Sequence, residues 1–250
     1  MPKNRVLILH APGTNRDGDL AQAVITAGGE PDIVPLNQLD KNGKIWGDYA
    51  LLALPGGFSY GDALGAGRLW AVELRTLFAD LVAAFVQHGR PVIGICNGFQ
   101  ALVKAGVLPG NGQNTTLTYN ASGKFECRWV TLTPNTTNTS PWLKDLPPIF
   151  CPVAHGEGRF LQSEGQVLPP SQVAFTYTHP DSTPANGVYP INPNGSPNDI
   201  AGITNQEGNV LGLMPHPENH IFPYQHPAWT RGQSGGMGIQ LFVNGLRMAQ

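Results

Sequence analysis

Apolar residues come in short, regularly spaced runs along this chain. Arg5 to His10 (RVLILH) holds four consecutive aliphatic residues and closes on Ala11-Pro12-Gly13, the pattern of a buried strand entering a turn. Asp19 to Ala27 repeats its apolar positions at helical spacing and stops at Gly28-Gly29. Pro31 to Leu36 and Asp48 to Leu54 read as two further strands, the second ending abruptly at Pro55-Gly56-Gly57. Glu73 to His88 predicts one helix stopped by Gly89, Pro91 to Ile95 a fourth strand, and Asn97 to Ala105 a helix stopped by Gly106. Strand and helix therefore alternate over the first hundred residues. Alternation of this kind predicts parallel strands with crossover helices on both faces, and it puts functional loops at the carboxyl ends of the strands.

The second half has a different pattern. Phe125 to Thr133, Val153 to Phe160, Val173 to Tyr177, Asp199 to Thr204 and Val210 to Met214 read as strands, with a closing helix over Gly238 to Met248. Pro134 to Ser140 and Pro180 to Pro197 read as loops, dense in Asn with Thr in the first and with Pro and Gly in the second. These strands are expected to be mixed or antiparallel and to complete the first sheet. No repeat or linker divides the chain, so residues 1–250 are expected to form a single α/β domain.

Composition narrows the function. Only 13% of the 250 residues are charged, and 31 Gly with 23 Pro imply many turns. The net charge is -2, with no basic stripe, which argues against nucleic acid as the partner. Three cysteines, Cys96, Cys127 and Cys151, make a poor disulfide framework and contain no C-x-x-C pair. The apolar run near the N-terminus is too short for a signal segment, and no stretch reaches membrane-spanning length. A reducing, cytoplasmic setting without membrane contact is expected. Asn114, Asn120, Asn135 and Asn138 each open an N-x-S/T acceptor, a pattern with meaning only in a secreted chain.

The densest chemistry lies in Pro91-VIGICNGFQ-Gln100. Gly94-x-Cys96-x-Gly98 sits between a predicted strand and a predicted helix, the cysteine form of a nucleophile elbow. Small neighbours let the backbone turn sharply, and the positive end of the following helix favours a thiolate. Cys127 and Cys151 lack this setting and are expected to be structural. An acyl intermediate needs donors for its oxyanion. The N–H groups of Gly57, after the third strand, and Asn97 are the expected pair. Met214-Pro215-His216-Pro217-Glu218 follows the last apolar strand. Pro217 favours an extended His216, and residues two apart in extended chain share a side, so Glu218 can orient the imidazole as base to Cys96. His155-Gly-Glu157-Gly-Arg159 is a second H-x-E, open to reading as another ligand site or a partner surface. His216, His220 and His226 lack the spacing of a metal site, and no metal is expected.

Beyond these motifs the chain resembles the class I (triad-type) glutamine amidotransferases, almost end to end. Within that class it is most similar to the glutaminase subunits of phosphoribosylformylglycinamidine synthases. The resemblance is carried by Pro55-GGFSYGD-Asp62, Gly94-ICNGFQ-Gln100, Ala105-GVLPG-Gly110, Asn120-ASGKFECRWV-Val130, His155-GEGRF-Phe160, Gly208-NVLG-Gly212 and Met214-PHPE-Glu218. It implies a flavodoxin-like, doubly wound, mostly parallel sheet with additional antiparallel strands. It implies Cys96 as nucleophile, His216 as general base and acid, Glu218 as its orienting partner, and Gln100 as a residue that helps hold glutamine. It implies no cofactor in this chain. The ammonia would pass to a larger synthetase subunit that uses ATP and Mg2+, with a small bridging subunit between them. Two rivals share the fold: a stand-alone cysteine hydrolase of the PfpI/DJ-1 type, and a non-catalytic binding module. The first usually places His directly after the elbow cysteine, where this chain has Asn97. The second would not need Cys96, His216 and Glu218 together.

Overall fold

The computed structural model describes residues 4–39, 46–110 and 112–249. Eleven strands and five α-helices form among them. The first half contains β1 (Arg5–His10), α1 (Asp17–Thr26), β2 (Glu30–Pro35), β3 (Leu51–Leu54), α2 (Arg68–Thr76), α3 (Ala79–Gln87), β4 (Val92–Ile95) and α4 (Asn97–Lys104). Then come β5 (Thr115–Thr118), β6 (Glu126–Pro134), β7 (Ile149–His155), β8 (Arg159–Gln162), β9 (Val173–Thr178), β10 (Ile200–Thr204), β11 (Val210–Leu213) and α5 (Ile239–Met248).

Nine strands build one sheet in the order β2-β1-β3-β4-β11-β10-β9-β6-β7, and β5 pairs with β8 in a small separate sheet. Junctions from β2 through β11 are parallel and those from β11 to β7 antiparallel. The parallel part has the flavodoxin-like order, with its inner strands β3, β4 and β11 buried along their whole length, as a sheet covered on both faces requires. The pleat of β3 separates the two faces. Leu51 points at α5, where its Cδ1 would lie 3.1 Å from a Cβ added at Gly245. Leu54, three residues on, faces α4 at Gly98. The core spans both halves of the chain and includes Trp70, Phe99, Trp142, Phe175 and Tyr177.

Four elements differ from the sequence pattern. The helix expected over 73–88 is two helices, because Phe78 leaves the helical backbone (φ -126, ψ 12) and buries its ring 6.1 Å from that of Trp46. The run 153–160 divides between β7 and β8, in different sheets, at the Gly156–Gly158 turn. That turn needs glycine: a Cβ on Gly158 would stand 2.3 Å from the His155 ring. The strand expected from Asp48 begins only at Leu51, since Trp46–Asp48 forms a 3-10 turn. β5 has no strong apolar run and owes its extended form to β8.

Candidate active site

Cys96 follows β4 directly and caps α4. Its backbone has φ 49 and ψ -104, a left-handed conformation that costs a non-glycine residue about 1–3 kcal/mol. The surroundings hold it there. The Cys96 N–H donates to Leu213 O at 2.8 Å, extending the β4–β11 pairing, and Cys96 O accepts from Gln100 N–H at 3.0 Å in α4. The flanking glycines let the elements close. A Cβ at Gly98 would fall 2.0 Å from Leu54 O, and one at Gly94 2.9 Å from Gly98 O. The elbow inferred from Gly94-x-Cys96-x-Gly98 is thus a feature of close backbone approach.

His216 follows β11, the strand paired with β4, so Cys96 and His216 emerge side by side from adjacent strand ends. His216 N–H donates to Pro152 O of β7 at 2.8 Å, which fixes the ring from the far part of the sheet. His216 Nδ1 and Glu218 Oε1 are 2.6 Å apart, and both residues are buried. With Nδ1 taken by Glu218, the other ring nitrogen is left for Cys96, whose thiol donates to Ala154 O of β7 at 3.7 Å. Burial works against an imidazolium here. The Glu218 carboxylate and the Cys96 sulfur overcome it and raise the His216 pKa to about 10. The ring therefore holds its proton at neutral pH. The expected meeting of His216 and Glu218 occurs by a different route from the extended chain anticipated. His216 is non-helical before proline (φ -108, ψ 80), but Pro217–Asn219 is a 3-10 turn that swings Glu218 back onto the ring.

The third wall comes from the loop after β3. A Cβ at Gly56 would lie 2.7 Å from His216 Cε1 and 3.4 Å from Cys96 Cβ, so the bare glycine backbone packs against both. Gly57, with φ +140, bridges Thr14. Phe58 N–H donates to Gly13 O, and Arg16 N–H to Gly56 O, which leaves the Gly57 N–H outside the ladder. The Asn97 N–H lies in the first turn of α4, where no acceptor exists four residues back. The Asn97 side chain braces the same loop: Oδ1 accepts Ser59 N–H at 3.1 Å, and Nδ2 donates to Asp62 Oδ1 at 3.2 Å and Gln100 Oε1 at 2.9 Å. Gln100 Nε2 donates to Glu157 O at 2.7 Å. The Gln100 amide thus supports the site from below, with one N–H to spare.

The second H-x-E motif belongs to this same neighbourhood. Glu157 Oε1 accepts Ala66 N–H at 3.1 Å; burial, and after it the Glu157 carboxylate, raises the pKa of Asp62. His155 is buried on Asn120 (Nδ1 to Oδ1, 3.1 Å); burial first and His216 second lower its pKa to about 3, so it stays neutral. The sequence assigns no role of their own to Gly56 and Asp62, although GGFSYGD carries them, and it reads Glu157 only as part of a second ligand site or partner surface, whereas the structure brings it beside Gln100 and Asp62. Cys151 is buried, and burial followed by the nearby Glu218 raises its pKa, while Cys127 is exposed. His220 packs edge-on against Trp129 and His226 lies tilted against Phe150, and no metal-binding cluster occurs among the described residues. Asn120 and Asn138 are buried with their amides bonded internally, which gives two of the four N-x-S/T motifs a structural role.

Residues 3–248 match the model of the CobB/CobQ-like glutamine amidotransferase domain. The chain is 54% identical over 241 residues to phosphoribosylformylglycinamidine synthase subunit PurQ of Treponema denticola, covering 88% of this chain and 89% of that one. It is 42% identical to the protein of the same name from Dehalococcoides mccartyi, covering 100% and 99%. A chain in the structure of PurLQS from Thermotoga maritima superposes with a TM-score of 0.75 at 35% identity, over 99% of both chains.

Proposed function

Because the chain belongs to the CobB/CobQ-like glutamine amidotransferase family, we infer that it is the glutaminase subunit of a phosphoribosylformylglycinamidine synthase. It is a glutamine-hydrolysing enzyme subunit that works in a complex with other synthase subunits. The observation that carries the chemistry is the buried Cys96–His216–Glu218 assembly, with His216 Nδ1 2.6 Å from the Glu218 carboxylate.

The proposed reaction runs as follows. The Cys96 thiolate attacks the side-chain amide carbon of glutamine, and the carbonyl oxygen becomes an oxyanion facing the Gly57 and Asn97 N–H groups. One such donor contributes roughly 3 kcal/mol to the transition state. Collapse breaks the C–N bond, and the His216 imidazolium gives its proton to the departing ammonia. The now neutral His216 takes a proton from water, whose oxygen attacks the thioester and releases glutamate. Glu218 holds the ring through both transfers. Gln100 and Asn97 keep the loop walls in place, and Gln100 has one N–H left for the substrate.

The ammonia is proposed to pass to a larger synthetase subunit that binds ATP and Mg2+, with a small bridging subunit completing the complex. Labelling with 6-diazo-5-oxo-norleucine and peptide mapping, with and without the partner subunits, tests the first step. One adduct on Cys96, absent in Cys96→Ala, is expected. No adduct in either condition would remove the glutaminase reading.

A further inference from the structure

Cations are scarce here: 15 Lys and Arg in 250 residues, under a net charge of -2. Three of them nevertheless line one groove of about 660 Å³, away from Cys96 and between α2, the end of α4 and residues 112–116. Arg68 and Arg75 lie two turns apart along α2, about 10 Å, and Lys104 ends α4. No carboxylate is among the lining residues. Neither arginine forms an ion pair among the described residues.

Arg75 and Lys104 stand in the last turns of α2 and α4, where a cation is favoured, but Arg68 is placed against its own interest. Arg68 opens α2, where the helix dipole disfavours a cation. It stands near enough to Lys104 that, after burial, its charge helps push the Lys104 pKa down. Lys104 has one carboxylate partner, Glu157, at 3.5 Å. An anion in the groove relieves both repulsions at once. Two planar guanidinium forks suit phosphoryl oxygens; of the neutral wall, Gln113, Asn114, Thr115 and Thr116 suit hydroxyl and amide groups, and the aliphatic part around Ala71, Val72 and Val103 suits an apolar face.

We propose that this groove is a binding site for a small phosphorylated ligand of the nucleotide or sugar-phosphate class, gripped at its two ends by Arg68 and Arg75. The site is connected to the glutamine pocket. Lys104 links the groove to Glu157, and Glu157 in turn holds Gln100 through its carbonyl and Ala66 through its carboxylate. A ligand that draws Lys104 outward loosens Glu157 and shifts the KM for glutamine. This second consequence rests on the amidotransferase reading; the binding itself does not.

The test is calorimetric titration of the whole chain with ADP, ribose 5-phosphate and pyrophosphate at low salt. Saturable one-to-one binding is expected for at least one of them, weakened about tenfold by Arg75→Ala and by Arg68→Ala. Arg16→Ala, which removes a surface arginine outside the groove, is expected to leave it unchanged. Failure of all three probes to bind, or equal weakening by Arg16→Ala, overturns the site. Tighter binding of a glutamate-rich peptide than of any phosphate probe also overturns it, in favour of a protein-docking groove. Binding with no change in glutamine KM sinks the coupling alone, and binding without any glutaminase activity counts against the amidotransferase reading and not against the groove.

Discussion

The His216 ring carries opposing pressures, and their balance predicts its behaviour. Burial disfavours its charge, while Glu218 and Cys96 favour it and prevail, raising the pKa to about 10 from an ordinary 6.5. Between those values the folded chain binds a proton that the unfolded chain does not. The stabilisation is therefore complete below about pH 6.5 and is lost as pH rises towards 10. The melting temperature should fall across that interval, and Glu218→Gln should flatten the slope. His155 is expected to act in the opposite direction. Its pKa of about 3 in the folded chain means that stability drops as pH falls below 6.5, and His155→Gln should reduce that acid sensitivity. Catalysis separates the roles further. Cys96→Ala should abolish glutamine use but leave ammonia-dependent synthesis by the assembled enzyme intact. Glu218→Gln should lower kcat by roughly 10²-fold and preserve labelling of Cys96, because it disturbs orientation and leaves the nucleophile in place. Gly56→Ala would push a methyl group to 2.7 Å from His216 Cε1; a loss of about 10²-fold or more in kcat with little change in melting temperature is expected.

At the scale of elements, the elbow works because β3, β4 and α4 approach without side chains between them. Gly98 is the tightest contact, since its missing Cβ would overlap Leu54 O at 2.0 Å. Backbone cannot rotate out of the way as a side chain can, so Gly98→Ala should cost about 3 kcal/mol, read as a lower urea midpoint with an unchanged m-value. The loop after β3 stores strain as well. Tyr60, Asp62 and Leu64 all have positive φ, and Asn97, through Ser59 and Asp62, holds that loop against α4. Local pattern could locate this loop from Pro55-Gly56-Gly57, but not its shape, because its own turn bonds are supplemented by bonds to Pro12, Gly13 and the Asn97 side chain of α4.

Across the whole molecule, the site sits where the parallel and antiparallel parts of the sheet meet. β4 brings Cys96, β11 brings His216, and β7, at the far edge, supplies the carbonyl that fixes His216. Backbone amides at the β4–β11 junction should exchange with deuterium only through global unfolding, whereas edge strands β2 and β7 should exchange sooner. Faster exchange at Leu213 and Cys96 than at the edges would contradict a rigid central platform.

The sequence alone carried what depends on near neighbours. Runs of aliphatic residues between glycine and proline stops placed the central strands β1 and β4 within a residue, and Gly94-x-Cys96-x-Gly98 marked the elbow. His216-Pro217-Glu218 showed which groups could pair, since a single residue separates them. Other features depended on partners far along the chain. β5 is a strand because β8 pairs with it, and the helix before β4 breaks because Phe78 finds Trp46. Glu157 joins the site because Gln100 and Ala66, more than fifty residues earlier, lie against it. Cys96 keeps a conformation unfavourable in isolation because the ladder to Leu213 and the start of α4 over-determine it. Periodicity and turn chemistry record local free energies, whereas those four outcomes are set by long-range packing that exists only once the sheet has closed.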